Sequence, residues 1–319
     1  MRPDQFWRAL AIGVLAVFAA AIVSPMIGSA HIDFARALKG LSPDREILMY
    51  ARVPRMLLAL LAGGALAVTG VVFQAILRDS LAEPYTLGIS SGASAGAVAA
   101  ISFGWNTWLC SSIGALAVLA LVLLIAFENR RLSPFTLLLA GVTMNFVSVA
   151  VIVTLHSLSS IGQSFSISRW LMGGLDASEY GPLLPLALVI FPVTGFLLWR
   201  ARDWNLLAIG EDWAATRGLS STRLVLTGYL AGSLLTAGIT AITGPISFVG
   251  LLVPHALRLR FGADHRTLIP LSFLFGGAFL ALCDTAARTV LSPAELPVGV
   301  ITALVGGPFF IWLLRRRAG

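Results

Sequence analysis

The sequence predicts an all-α polytopic membrane protein with about ten transmembrane helices and both termini in the cytoplasm. Of its 319 residues, 57% are hydrophobic and only 12% are charged, and the mean hydropathy is +0.89. Soluble domains carry about 25% charged residues, so this chain has too few charges to cover a water-facing surface. Two further observations lead to the same fold class: a series of long apolar runs, and arginines placed at the ends of those runs.

Apolar runs of bilayer-crossing length give the helix count, within one transmembrane domain that covers residues 1–319. A helix needs about 20 residues to cross roughly 30 Å of hydrocarbon. The first run is longer than the core of a signal peptide, so we expect it to be retained as a span. The third and eighth runs are the weakest as isolated helices. The ten runs are 6–27, 56–77, 86–104, 108–127, 135–158, 182–199, 222–242, 245–261, 270–289 and 297–314.

The basic residues test this topology. The net charge is +7, and 21 of the 22 basic residues are Arg. They are scattered rather than gathered in a stripe that would bind nucleic acid. With both termini inside, 15 fall inside and seven outside, as the positive-inside rule expects. The inside residues are Arg2, Arg8, Arg78, Arg130, Arg131, Arg200, Arg202, Arg217, Arg223, Arg258, Arg260, Arg266 and Arg315–Arg317; the outside residues are Arg36, Lys39, Arg45, Arg52, Arg55, Arg169 and Arg288.

Three of the outside arginines go against the positive-inside rule near span ends. Arg52 and Arg55 flank Pro54 before the second span, and Arg288 lies toward the outer end of the ninth. For each of them, an anchor whose charged end reaches the membrane interface is as good an explanation as a functional role. For Arg288, an ion pair with Asp284, four residues earlier on the same helix face, is a further explanation.

The longest polar stretch on the inside, Arg200–Arg223, separates the sixth and seventh spans. It is interpreted as one or two short amphipathic helices with breaks at Gly210 and Gly218. A helix lying on anionic lipid would carry a mostly basic polar face. The mixed charges and the Trp of this segment favour contact with another protein.

A serine-hydrolase pattern, G-x-S-x-G, occurs at Gly92–Gly96 and would make Ser94 a nucleophile. That motif requires a strand–turn–helix elbow with a histidine and an acid from later segments. Here it lies inside an apolar run. Gly88, Gly92 and Gly96 recur at every fourth position, a spacing that lets two helices pack closely in lipid. The pattern therefore predicts helix packing rather than catalysis.

Other sites for chemistry are not supported. The phosphate loop needs Gly-Lys followed by Ser or Thr, whereas the one lysine, Lys39, precedes Gly40, so we expect ATP to be bound by a separate subunit. A proton or sodium relay requires acids within the membrane, and Asp284 is the one acid well inside a span. No cofactor or metal is expected, because the cysteines and histidines are isolated in sequence: Cys110, Cys283, His31, His156, His255 and His265.

Several short blocks follow one another in a recognisable order after about residue 50. The first half contains Arg52-Val53-Pro54-Arg55, Gly63–Gly70 with Gln74, Leu81–Pro84 and Leu87–Ala93; the second half contains Gly244–His255 with Arg258, Asp284 with Arg288, Glu295–Gly299 and Gly307–Phe310. In these blocks the chain resembles the FecCD-type permeases, the membrane subunits of bacterial importers for iron–siderophore complexes, haem and vitamin B12.

The resemblance implies a type II ABC importer permease in the bacterial inner membrane. Its partners would be a second copy of the chain, two cytoplasmic ATPase subunits that use ATP, a substrate-binding protein outside the cell membrane, and the lipid bilayer. Inverted repeats are common in transporters and are also implied. Among cargoes, the resemblance implies a ferric siderophore first, because most permeases of this kind serve iron uptake, followed by haem and vitamin B12. No residue of the sequence distinguishes them.

The resemblance also implies roles for residues. Arg52, Arg55 and Arg288 would dock acidic residues of the binding protein, a task suited to the planar guanidinium. The turn Arg78–Pro84, which we call the gate turn, would belong to the inner gate through Asp79, Ser80 and Leu81, with Asp79-Ser80 where the family has Asn-Pro. The segment Gly210–Gly218, which we call the coupling segment, lies in a cytoplasmic stretch at about 203–220. It would dock on the ATPase through Gly210, Glu211, Asp212, Ala214, Ala215, Arg217 and Gly218.

Two other readings remain open. An ion-coupled secondary carrier would transport without an ATPase. An intramembrane serine protease would use Ser94.

Overall fold

The computed structural model describes residues 3–28, 30, 32–128, 131–175 and 180–317. Arg2, His31 and Arg130 lie outside these residues. Apart from a small hairpin, in which β1 (Phe127–Glu128) pairs antiparallel with β2 (Arg131–Leu132), the regular structure of the described residues is helical. The helices are α1 (Pro3–Met26), α2 (Phe34–Leu38), α3 (Asp44–Glu46), a π-helical turn (Ile47–Arg52), α4 (Val53–Leu77), α5 (Ile89–Phe103), α6 (Thr107–Ala126), α7 (Pro134–Leu158), α8 (Ile161–Leu171), α9 (Leu183–Trp199), α10 (Ala201–Ile209), α11 (Glu211–Thr216), α12 (Ser221–Thr243), α13 (Val249–Phe261), α14 (His265–Thr289) and α15 (Val298–Arg317).

Each of the ten predicted runs coincides, within a few residues, with one of these helices. In the described residues, six helical stretches are long and apolar enough to cross a membrane, and a seventh is formed if α9 and α10, bent by 60°, count as one. The six are Gln5–Met26, Asp44–Leu77, Thr107–Ala126, Pro134–Leu158, Ser221–Thr243 and His265–Thr289. The count of ten spans therefore stays a prediction.

Two predicted spans are short because backbone turns end them. Helix α5 has 15 residues, between Gly88 and Gly104, and α13 has 13, between Phe248 and Gly262. Helices of this length extend about 20 Å, less than the roughly 30 Å of hydrocarbon. The second span, in contrast, is longer than predicted. It was predicted to begin at residue 56, but α3 and the π-helical turn extend it back to Asp44, so Arg52 and Arg55 lie within a continuous helix.

Helices α4 and α14 form the centre of the molecule. In the most apolar stretch of Asp44–Leu77, 83% of the residues are buried, whereas the corresponding fraction is 28% in α1, 28% in α6 and 22% in α7. The two central helices run antiparallel, with Gly63 against Gly276: a Cβ at Gly63 would lie 2.2 Å from the carbonyl oxygen of Gly276. Backbones this close need glycine on both sides. The peripheral helices expose apolar side chains, as expected of surfaces that face lipid or another copy.

The small residues of the G-x-S-x-G pattern pack helices together. A Cβ at Gly92 would meet Gly114 O of α6 at 2.7 Å, and one at Gly96 would meet Cys110 O at 2.1 Å. Gly88 differs from the expectation that all three line one helix face. It precedes α5 with a φ of 78°, a left-handed conformation natural to glycine, and lies against Gly141 of α7.

Candidate functional site

The three predicted docking arginines lie together in one cluster at the start of α4. We use the name arginine cluster for Arg52, Arg55 and Arg288 with the acids Asp284 and Glu295. The Nη2 of Arg55 lies 2.9 Å from Asp284 Oδ1, and its Nη1 lies 2.9 Å from Glu295 Oε2. The Nε of Arg288 lies 3.1 Å from Asp284 Oδ2. The expected Asp284–Arg288 ion pair is therefore present, and Asp284 also holds Arg55.

Within this cluster, Arg52 and Arg288 face α1 rather than the surface. Arg52 donates to the carbonyl oxygens of Pro25, at 2.9 Å, and Ala30. Arg288 donates to the carbonyl oxygen of Ser24 at 3.0 Å. Carbonyls at the end of a helix lack partners within that helix, so the two guanidiniums stabilise the end of α1. Arg52 and Arg288 are buried, at 5% and 3% exposure, and the docking role of all three arginines stays a prediction.

The rim of the arginine cluster consists of Arg55 and Glu295. Their side chains are 13% and 32% exposed, so this pair is the part of the cluster that another protein can reach. The contact between them could not be predicted from the sequence, because 240 residues separate them.

The gate turn follows α4 and is held by its own side chains. The Oδ1 of Asp79 accepts the N–H of Leu81 at 2.9 Å, and the N–H of Ala82 donates to Asp79 O at 3.2 Å. A carboxylate that accepts a backbone N–H two residues on forms the same turn that Asn forms. The substitution of Asp79-Ser80 for Asn-Pro is therefore compatible with an ordered turn. Ser80 is exposed.

Buried polar side chains fasten this turn to α13. Gln74 donates from Nε2 to Ala82 O and to Gly250 O, both at 3.3 Å, and its Oε1 accepts from Arg258 at 2.7 Å. At the other end of the turn, Glu83 Oε2 accepts the N–H of Phe248 at 3.2 Å. The turn between α4 and α5 thus rests on the start of α13.

The coupling segment begins at Gly210, where α10 ends, and contains α11 followed by Arg217 and Gly218. Ala214 is buried against the body of the protein, whereas Asp212, Ala215, Arg217 and Gly218 are exposed. The flanking Ile209 and the central Trp213 expose 68% and 62% of their surfaces. Exposed apolar side chains among charges are typical of a protein-binding surface.

Helix α10 attaches the coupling segment to the central helices. Trp204 is fully buried and packs against Gly228 on α12, where an added Cβ would lie 2.7 Å from the indole ring. Asn205 donates to Asp264 Oδ1 at 2.8 Å and accepts the N–H of His265, also at 2.8 Å. Helix α10, which leads into the segment, is therefore joined to α12 and to the start of α14.

A cleft of about 590 Å³ opens on the side formed by α5, α7 and α15. Its polar side chains in the described part of the chain are uncharged. Ser94 lies in it, but its Oγ donates to Ser90 O of its own helix at 2.9 Å, and the cleft lining contains neither histidine nor acid. These lining residues were not predicted from the sequence: Tyr85, Ser91, Ser94, Asn145, Val149, Ile152, Leu171, Met172, Pro245, Ser247, Gly299, Val300, Ala303 and Leu304.

No group of three or more metal-ligating side chains occurs among the described residues. Cys110 and Cys283 are free thiols.

Comparison with known proteins gives concordant matches. The model of the FecCD transport family matches residues 15–316. The chain is 37% identical to the hemin transport system permease protein HmuU of Yersinia pestis, over 85% of this chain and 84% of that protein. It is 38% identical to the vitamin B12 import system permease protein BtuC of Escherichia coli, over 86% of each. An uncharacterized ABC transporter permease protein of Bacillus subtilis, YvrB, is also 38% identical, over 85% of this chain and 79% of that protein.

The fold is shared with solved structures as well. One is described as an inward-facing conformation of a metal-chelate type ABC transporter; it superposes with a TM-score of 0.85 at 32% identity, over 97% of this chain and 99% of that one. PsaBC from Streptococcus pneumoniae superposes with a TM-score of 0.55 at 15% identity, over 88% and 94%, which shows a shared fold.

Proposed function

The chain belongs to the FecCD transport family, and from that membership we propose that it carries a metal chelate across the bacterial inner membrane as the permease of an ATP-driven importer. It is a transport subunit rather than an enzyme, and ATP is hydrolysed on a separate ATPase subunit. The observation that carries the proposal is the family match over residues 15–316. The resemblance noted in the sequence blocks is thereby confirmed.

The cargo is proposed to be a ferric siderophore first, with haem and vitamin B12 as alternatives. Relatives named for hemin and for vitamin B12 match this chain almost equally well, so similarity does not separate the two. A fluorescence titration of the partner substrate-binding protein with a ferric hydroxamate, hemin and cyanocobalamin would assign the cargo. Tight binding of hemin or cyanocobalamin alone would contradict the first choice.

We place ten spans in the membrane, with both termini in the cytoplasm and a second copy across the cleft. The open side of the cleft is bordered by α7 and α15, where Phe146 and Leu304 expose 71% and 64% of their surfaces. A second copy on this side would bury these side chains and enclose a pathway between the two subunits. Native mass spectrometry of the complex with its ATPase should then give two permeases and two ATPases.

Docking of the binding protein is proposed at the arginine cluster, with Arg55 in the leading position because it is the arginine at the rim. Arg55→Glu should weaken binding at least about tenfold, and the remaining affinity should depend less on salt. Binding of the substrate-binding protein to nanodiscs, measured against salt concentration, tests this. Arg36→Glu, the same change at an exposed arginine outside the cluster, is the control. Equal effects of the two substitutions would contradict the assignment.

The coupling segment is proposed to dock on the ATPase and transmit its motion. Proline at Ala215, an exposed position inside α11, removes a helix hydrogen bond without disturbing the buried face. Ala215→Pro should leave ATP hydrolysis in place and reduce chelate uptake per ATP several-fold, whereas Ala215→Ser should behave like the unmodified chain. Normal uptake per ATP in Ala215→Pro would remove the coupling role.

The alternatives receive less support. The hydroxyl of Ser94 is bonded within its own helix and faces a cleft without histidine or acid among the described lining residues. Asp284 is held between Arg55 and Arg288, an arrangement that suits a structural ion pair better than an ion relay.

A further inference from the structure

Arg78 adopts a backbone conformation that arginine rarely takes. It ends α4 with φ 51° and ψ 29°, in the left-handed region. Helices commonly end with one such residue, and glycine is the usual choice because it lacks a Cβ. A larger residue in this region is strained and persists where the surrounding structure requires it. Arg78 therefore keeps a side chain at a position where glycine would be less strained.

The contact made by that side chain joins two functional elements. Arg78 forms an ion pair with Glu211, the first residue of α11 in the coupling segment. Arg78 is also the first residue of the gate turn. This pair therefore links the coupling segment, which is proposed to contact the ATPase, with the gate turn, for which the family resemblance implies a place in the inner gate, across 133 residues of sequence.

A second contact lies one helix before it. Trp204 of α10 packs against Gly228 of α12, and Ile76 of α4 reaches the same point: its Cδ1 would lie 2.9 Å from a Cβ at Gly228. The end of α4 therefore meets α10 at an apolar point and the coupling segment, which follows α10, at a charged point.

We propose that Arg78 is a positioning residue, a strut whose ion pair with Glu211 transmits movement of the coupling segment to the gate turn. The inference rests on the proposed function, in which the coupling segment receives the motion of the ATPase. Stability alone does not explain the pair, because both side chains are well exposed, at 37% and 42%, and exposed ion pairs contribute little to stability.

Substitution by glycine separates the two explanations. Arg78→Gly removes the strut and at the same time relieves the left-handed strain. We expect the melting temperature of the purified chain to stay the same or rise. The ATP hydrolysed per chelate transported, measured in proteoliposomes with the complete transporter, should rise at least about fivefold, the lower end of typical coupling between sites.

Further variants test the charge pairing. Arg78→Lys keeps the charge and should retain most of the coupling, whereas Glu211→Gln, at an exposed side chain, should lose it as Arg78→Gly does. Reversing either charge alone should uncouple transport, and the double reversal of Arg78→Glu with Glu211→Arg should recover at least half of it. Asp203→Asn, which removes the Arg200–Asp203 pair within a single segment, is the control and should remain coupled.

Three results would overturn the proposal: normal coupling in Arg78→Gly and Glu211→Gln, a loss of coupling that follows a loss of melting temperature, or no recovery in the double reversal. If Ala215→Pro uncouples transport while Arg78→Gly does not, the strut is wrong and the coupling role of the segment stands. If both variants are fully coupled, the coupling role itself fails.

Discussion

Ion pairs lie at both ends of α4. The arginine cluster lies at its first turn, and the Arg78–Glu211 pair lies at the residue that follows its end. Its 25 residues span about 37 Å, roughly the thickness of a bilayer with part of its headgroups. Individual residues thus mark two surfaces that lie on opposite sides of the membrane in the proposed topology.

Asp264 provides a residue-scale prediction on pH. It caps α14 by accepting the N–H of Arg266 at 3.0 Å. Burial acts to raise its pKa, but hydrogen bonds from Arg266 and Asn205 outweigh burial and lower the pKa to about 2 from an ordinary value of 3.8. Since the folded-state pKa is depressed, the ionised carboxylate stabilises the fold above the ordinary value, and this contribution disappears as the pH falls through about 2.

We expect Asp264→Ala to lower the free energy of unfolding by about 1 kcal/mol at pH 7. The difference from the unmodified chain should shrink as the pH falls from about 4 toward 2. Thermal unfolding of both chains in one detergent over this range measures it, with the exposed Asp212→Ala as the control. A difference that does not change with pH would show that the carboxylate charge plays no part.

At the scale of elements, the close contact of α4 with α14 organises the bundle. Gly63→Ala would place a Cβ 2.2 Å from Gly276 O, and relief of that overlap must push the two central helices apart. We expect a loss of about 1–3 kcal/mol in the free energy of unfolding. Gly195→Ala on α9 adds the same methyl group in open space, so it should be neutral or slightly stabilising. Comparable unfolding temperatures for the two variants would contradict this account of the packing.

The positions of helices could be predicted from sequence more readily than their contacts. Apolar runs located all ten helical segments. A segment that enters lipid must satisfy its backbone hydrogen bonds internally, and it does so by forming a helix. Boundaries at Gly88 and Phe248 were missed, since the left-handed turns there interrupt runs that remain apolar in composition. The extension of α4 back to Asp44 was missed because its charged residues interrupt the apolar pattern.

Contacts between residues far apart in the sequence were not predicted, because such contacts leave no periodic pattern in the sequence. The Asp284–Arg288 pair was predicted because it lies within one helix turn. The partners of Arg55 and Arg78, Glu295 and Glu211, are 240 and 133 residues away, and only the packing of α4 against α10 and α14 brings them close. The burial of Arg52 and Arg288 under α1 also depends on tertiary packing that no local pattern encodes.

At the scale of the whole molecule, the arrangement suits the proposed role of an importer permease whose ATPase is a separate subunit. The cleft beside α5, α7 and α15 is uncharged among its described lining residues, which suits a pathway that releases what it receives. The features proposed to engage partners, Arg55 and the coupling segment, lie at opposite ends of α4.

The most direct test of the importer assignment is chelate uptake into proteoliposomes that contain this chain with its ATPase and binding protein. Uptake should require ATP inside the liposomes and should stop when the ATPase is omitted or when its phosphate-loop lysine is replaced. Collapse of proton and sodium gradients should leave the rate unchanged. Uptake driven by an ion gradient in liposomes that contain this chain alone would contradict the account.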